Sequence, residues 1–111
     1  MKPNDDATVE VTFGAKSSPQ FVFSPPSVTM KKSGNVRLKR SGDASWTFVT
    51  GDVKDDTLNQ FFPKVEGDGT RLRIRDECKD ETKKSYSYFV TVALGGEQFT
   101  SPDPEIVNDP L

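Results

Sequence analysis

Two Asp-Pro bonds fall within the last nine residues of the chain, in the run Ser101-Pro102-Asp103-Pro104-Glu105-Ile106-Val107-Asn108-Asp109-Pro110-Leu111. An Asp-Pro bond carries its own chemistry. The Asp carboxyl can attack its own main-chain carbonyl through a five-membered ring, and intramolecular attack of this kind benefits from a high effective concentration. The proline nitrogen is a comparatively basic leaving group, so protonation helps to expel it. Alternatively, a second carboxylate activates a water against the same carbonyl. Either route needs an acid or base held beside the bond and a donor for the developing oxyanion. A structural account competes with this one. Asp-Pro pairs are ordinary turn chemistry, and Pro102, Pro104 and Pro110 would blunt an exposed edge strand against aggregation.

Other chemistries are poorly supplied. The chain has no histidine, which removes blue-copper sites, zinc–histidine sites and Ser–His–Asp triads. It also lacks a phosphate-cradling Gly-rich loop in strand–helix context, so neither a cofactor nor a metal is expected. Cys78 is the only cysteine, and Glu77 and Asp80 beside it disfavour a nucleophilic thiolate. Asp76, Glu77, Asp80 and Glu81 lack the alternating ligands and central glycine of a tight calcium loop and read as a solvated loop. The cations Arg37, Lys39, Arg40, Arg71, Arg73 and Arg75 would form a positive stripe if their two strands adjoin. The residues between them are Leu38, Leu72 and Ile74 rather than aromatics, so a solvated strand face is the expected reading.

The elements that must position these residues are short strands. In 111 residues, 32% are hydrophobic and 29% charged, which suits one small domain whose apolar residues are concentrated in alternating runs. Eight Phe, two Tyr and one Trp fill a thin core efficiently. Val9, Val11 and Phe13 share one face of Thr8–Phe13, and Phe21 and Phe23 one face of the next run. Pro25-Pro26 then breaks the ladder, and Val28 and Met30 begin a third strand. Val36 and Leu38, Trp46 and Phe48, and Leu72 and Ile74 repeat the pattern, with turns expected at Ser33-Gly34-Asn35, Ser41-Gly42-Asp43 and Gly67-Asp68-Gly69. Tyr86, Tyr88, Val90, Val92 and Leu94 mark the longest strand, and Gly95-Gly96 predicts a two-residue hairpin into Glu97–Ser101. Asp55–Phe62, with Leu58, Phe61 and Phe62 at helical spacing and Pro63 after it, predicts one short helical turn capped by Asp55 or Asp56. The expected fold is therefore all-β, an immunoglobulin-like antiparallel sandwich of about seven to eight strands over residues 8–111, preceded by a loose segment 1–7. Phe21–Asn35 resembles the opening of cupredoxin-like sandwiches in architecture only.

Fifteen basic residues face seventeen acidic ones, a net charge of -2 that offers no global field for nucleic acid or an anionic membrane. With one cysteine, no apolar leader in Met1–Asp6 and no membrane-length apolar run, the expected location is the cytoplasm.

The tail, together with Tyr86-x-Tyr88-x-Val90-Thr91-Val92, the Gly-Gly hairpin and Phe99-Thr100-Ser101-Pro102-Asp103-Pro104, resembles the DP-EP family of small bacterial proteins over residues 86–111. The second pair is Asp109-Pro110 where that family carries Glu-Pro. The resemblance implies a β-sandwich that cuts itself at Asp103–Pro104 by aspartic-peptidase-like chemistry, releasing Pro104–Leu111. Candidates for the assisting carboxyl are Asp76, Asp80 and Asp109. Lys83 and Lys84 are candidates to stabilise the oxyanion or to trap the activated Asp103 carbonyl as an isopeptide. The alternative function is a non-catalytic immunoglobulin-like binding or assembly module that uses a sheet face or edge, for instance to form a homo-oligomer.

Overall fold

Alternation decides which face of each strand is inside, and every long alternating run forms a strand. The computed structural model describes residues 5–41 and 45–110. In chain order the strands are β1 (Asp5–Phe13), β2 (Phe21–Ser24), β3 (Ser27–Met30), β4 (Gly34–Arg40), β5 (Thr47–Val53), β6 (Phe61–Glu66), β7 (Arg71–Asp76), β8 (Lys84–Leu94), β9 (Glu97–Thr100) and β10 (Glu105–Asn108). Gly42 and Asp43 of the expected turn after β4 lie outside the described residues, as do residues 1–4. β1 begins at Asp5, inside the segment expected to be loose.

The strands form two facing sheets, one ordered β2-β1-β4-β7-β6 and the other β3-β10-β8-β5, with β9 also on β8. The all-β sandwich is as expected, but the sheets are mixed rather than antiparallel. β1 pairs parallel with β4, and β3 parallel with β10, because the chain crosses between sheets at Pro25-Pro26 and again after Met30. Val9, Val11, Val36, Leu38, Leu72 and Ile74 from one sheet meet Met30, Phe48, Tyr88, Val90, Val92 and Ile106 from the other. Full burial of an aliphatic side chain contributes about 1.5–3 kcal/mol, so this interior is what holds the layers together. Edge-on aromatic pairs, such as Trp46 with Phe48 at 5.0 Å and Phe61 with Tyr86 at 4.9 Å, fill its two ends.

The described residues contain ten strands, more than expected, and the additions are β6 and β10. β6 replaces the expected helical turn. A helix there would need Leu58, Phe61 and Phe62 on one buried face, yet Leu58 and Phe62 are both 43% exposed and only Phe61 enters the core. The Asp56 carboxylate accepts the backbone N–H groups of Gln60 and Phe61, so it caps a turn that leads into a strand. Pro63 sits on the outermost strand of its sheet, where a missing N–H breaks no ladder. The Gly95-Gly96 hairpin forms as the sequence indicates, with both glycines at positive φ (60° and 83°) and Leu94 opposite Glu97.

Candidate functional site

The Asp-Pro bonds do not lie on a free tail. β9 and β10 run along the same edge of β8, and the segment between them is a bulge. Thr100 pairs with Thr91 and Glu105 with Ser87, so five residues of advance oppose four. Ser101 anchors one side: its N–H donates to the Val90 carbonyl at 2.9 Å, and its Oγ accepts the Val90 N–H at 3.0 Å. Pro104 anchors the other, its carbonyl accepting the Tyr88 N–H at 3.0 Å. Between them the Asp103 carboxylate turns outward and meets Lys54 Nζ at 2.8 Å, with both side chains partly solvated (39% and 49% exposed). The eight residues that follow the bond include β10, an interior strand of the second sheet whose Ile106, Val107 and Asn108 are buried.

The remaining sequence candidates collect at the opposite end of β10. Asn108 lies about 16 Å from Asp103 at a strand rise of roughly 3.3 Å per residue. Its side-chain N–H groups reach Asp76 Oδ1 (3.1 Å), Asp80 Oδ2 (3.1 Å) and Gln60 Oε1 (3.2 Å). Tyr86 donates its hydroxyl to Asp80 at 2.7 Å, and Gln60 Nε2 donates to both Asp80 and the Tyr86 oxygen. The Cys78 N–H donates to Asp76 Oδ1 at 2.8 Å, and the Lys79 N–H to Gln60 Oε1 at 2.7 Å. Asp76, Gln60 and Asn108 are fully buried, so this part of the expected solvated loop is an interior polar network joining the two sheets. Asp109 pairs with Lys31 at 2.9 Å at the same end, and Lys84 Nζ lies over the Tyr86 ring. Lys83 is exposed just before β8. The structure thus gathers Asp76, Asp80, Asp109 and Lys84 in one region and Asp103 and Pro104 in another.

Burial drives the two aspartates of the network apart. Desolvation pushes Asp76 up to about 6, against hydrogen bonds from Cys78 and Asn108, and the charges of Asp80 and Asp56 push the same way. Desolvation also raises Asp80, but hydrogen bonds from Tyr86, Gln60 and Asn108 and the Lys84 charge outweigh it and leave this carboxyl below its ordinary value. Opposite shifts in neighbouring carboxyls suit an acid–base pair. Here Asp80 is tied to Asn108, Gln60 and Tyr86 and Asp76 is bonded through Oδ1 alone, to Asn108 and Cys78, and the pair stands a strand's length from the Asp-Pro bulge.

A model described as the DP-EP family matches residues 3–110. The chain belongs to the DP-EP family. The match extends the likeness from residues 86–111 to nearly the whole chain.

The third feature of this DP-EP chain is its basic sheet face. β4 and β7 are direct neighbours, and their register sets Arg37 opposite Arg73 and Lys39 opposite Arg71. β6 adds Lys64 beside Arg73 and Glu66 beside Arg71, and β1 adds Glu10 beside Lys39. Arg75 continues the β7 row. Arg40 does not: it falls on the other side of β4 and donates to the Trp46 carbonyl at 2.7 Å. Carboxylates approach the cations only loosely, with Arg37–Asp6 at 3.8 Å, Lys39–Glu10 at 3.6 Å and Arg73–Glu66 at 3.7 Å. A recess of about 350 Å³ opens among Arg37, Glu66, Arg71, Leu72 and Arg73. Among the described residues, no group of three or more His, Cys, Asp and Glu side chains could hold a metal ion, and no helix is long and apolar enough to cross a membrane.

Sequence reasoning missed Lys54, Gln60 and Asn108. Lys54 sits in a charged turn with nothing to mark it as a partner of a residue 49 positions away. Gln60 and Asn108 are common surface residue types. The one available signal was the apolar run Ile106-Val107 beside Asn108, which marks the tail as strand.

Proposed function

We propose that the protein is a non-catalytic, immunoglobulin-like binding module that presents the outer face of the sheet β2-β1-β4-β7-β6 to an anionic partner, with the cytoplasm as its compartment. One observation carries this reading: cations stand directly opposite cations across β4 and β7. Like charges in directly opposed positions destabilise a sheet. The surrounding carboxylates are too distant and too solvated to offset this fully, since exposed pairs are worth about 0–1 kcal/mol. An anionic partner would relieve that repulsion. The test is chromatographic. At pH 7.5 a protein of net charge -2 should be repelled by a sulfonate cation exchanger, yet the localised face should hold it at low salt. Retention should vanish in an Arg37→Gln/Arg71→Gln variant. Flow-through of the unaltered protein at low salt would sink the reading.

A second reading, self-cleavage at Asp103–Pro104, is favoured by the Lys54 contact. In this scheme the Asp103 carboxylate attacks its own carbonyl carbon and a cyclic anhydride forms. The bond to the Pro104 nitrogen breaks as that nitrogen takes a proton from the Lys54 ammonium, and water then opens the anhydride. Lys54 takes the assisting role for which Asp76, Asp80, Asp109, Lys83 and Lys84 were candidates. Intact mass measured under denaturing conditions after long incubation at mildly acidic and neutral pH tests it. Fragments 1–103 and 104–111, abolished by Asp103→Ala and slowed by Lys54→Met, would support cleavage, and a single full-length mass would refute it.

A further inference from the structure

We infer that the recess between β4 and β7 is a binding site for a small phosphomonoester, held by Arg37, Arg71 and Arg73; this rests on the reading of that sheet face as the binding surface. Three guanidinium groups line the recess against a single carboxylate, Glu66. Cross-strand partners place Arg37 and Arg73 side by side, and Arg71 follows two residues along β7 on the same face. The Nε–H of Arg73 is closed to solvent and has no acceptor, so the groups that this side chain offers to a ligand in the recess are its Nη amines. Glu66 approaches the Nη1 end of the same side chain, at 3.7 Å. Charge-assisted bonds run to about 2.7–2.9 Å, so both this contact and Arg37–Asp6 at 3.8 Å leave donor capacity unspent.

The site is also held in shape. A Cβ on Gly67 would lie 3.0 Å from Arg71 Nη2 and 3.1 Å from its Nε, so the exposed Arg71 side chain lays its guanidinium along the β6–β7 turn. Planar, fixed guanidinium forks match phosphate oxygens two at a time. The volume leaves room beyond the phosphate itself. About 350 Å³ lies at the lower end of the range for small-molecule sites, larger than a bare orthophosphate needs and sufficient for a phosphate carrying a short organic group.

Nuclear magnetic resonance of the full chain tests this through the arginine Nε–H signals. Titration with glycerophosphate should shift the Arg73 and Arg71 signals saturably, and more tightly than orthophosphate does. Arg73→Gln should weaken binding by roughly tenfold or more, the loss expected for one charge-assisted pair. Glu66→Gln should tighten it, because the competing carboxylate is gone, and damage to the fold would not produce that gain. Orthophosphate binding as tightly as glycerophosphate would overturn the ester. Polyglutamate binding without saturable glycerophosphate shifts would overturn the recess while leaving the sheet face as an anionic docking surface. Absence of both responses would overturn both readings.

Discussion

Replacing Asp76 by Asn should remove a large pH dependence of stability. The Asp76 carboxyl is fully buried, and its desolvation raises it from 3.8 in the unfolded chain to about 6 in the fold. Below pH 3.8 both states hold the proton, and the group imposes no penalty. Between pH 3.8 and 6 the folded state binds more protons than the unfolded one, so stability falls as pH rises. Above pH 6 both states are ionised and the loss is complete. A shift of this size corresponds to about 3 kcal/mol at 1.36 kcal/mol per unit. Asn keeps the size of the side chain and an oxygen for the Cys78 N–H and the Asn108 amide, but carries no charge. Its amide N–H₂ takes the place of Asp76 Oδ2, which has no partner in the fold, a cost that does not vary with pH, so the variant should gain on the parent as pH rises from 4 to 7.5, by up to about ten degrees in melting temperature. That gain should shrink steadily below pH 6 and reach its floor near pH 4. Asp80 has the opposite sign, stabilising at neutral pH and losing its contribution as pH falls through its depressed folded value. Asp80 is present in both proteins, so its own contribution largely cancels in the difference, and the part that acts through its charge on Asp76 belongs to the Asp76 effect. The assay is thermal unfolding of both across pH 4–7.5. A difference in melting temperature that does not change across that range would refute the reasoning.

Other perturbations have distinct signatures. Tyr88 is fully buried, and its hydroxyl has no partner, so Tyr88→Phe should raise stability by about 1 kcal/mol in urea unfolding. Asn108→Ala removes one donor each from Asp76, Asp80 and Gln60, whose oxygens each keep another, and should cost about 1–2 kcal/mol in the same assay. Lys54→Met breaks a partly solvated pair and should change stability by no more than about 1 kcal/mol. Gly67→Ala forces a side chain onto a backbone at φ +59° and crowds Arg71, so it should cost about 1–2 kcal/mol and weaken glycerophosphate binding.

The sandwich was legible because alternation is a local signal that burial then obeys, as at Val36-Arg37-Leu38 and Leu72-Arg73-Ile74. The Gly-Gly hairpin was legible for the same reason, since turn chemistry lies within two residues. Long-range facts were not. Nothing local says that β4 and β7 adjoin, and only that pairing turns two ordinary polar faces into a row of opposed cations. The false helical turn at Asp55–Phe62 shows the converse. Its spacing is helical, but Phe61 is claimed by Tyr86 and the core while its neighbours are left in solvent. The interior carboxylates were hidden by residue type, because Asp in a charged loop normally reads as solvated.

The buried network answers a question of register that the apolar pattern leaves open. β10 is only four residues long, and Ile106, Val107 and Asn108 are all buried, so alternation does not fix which of them faces inward. A slip by one residue would reverse every side chain of the strand. The bulge at Ser101–Pro104 makes such a slip easy to reach, because one residue is already in excess there. Asn108 removes the ambiguity: its amide meets Asp76, Asp80 and Gln60 in one register only. A buried polar group that sets register at the expense of stability is a known use of such groups. On this account the energy lost in burying the Asp76 charge is balanced by a single placement of the last strand. The same lock bears on cleavage at Asp103–Pro104. The released segment would still be hydrogen-bonded to β8 and β3 and pinned through Asn108, so the cut chain would keep the size and fold of the intact one.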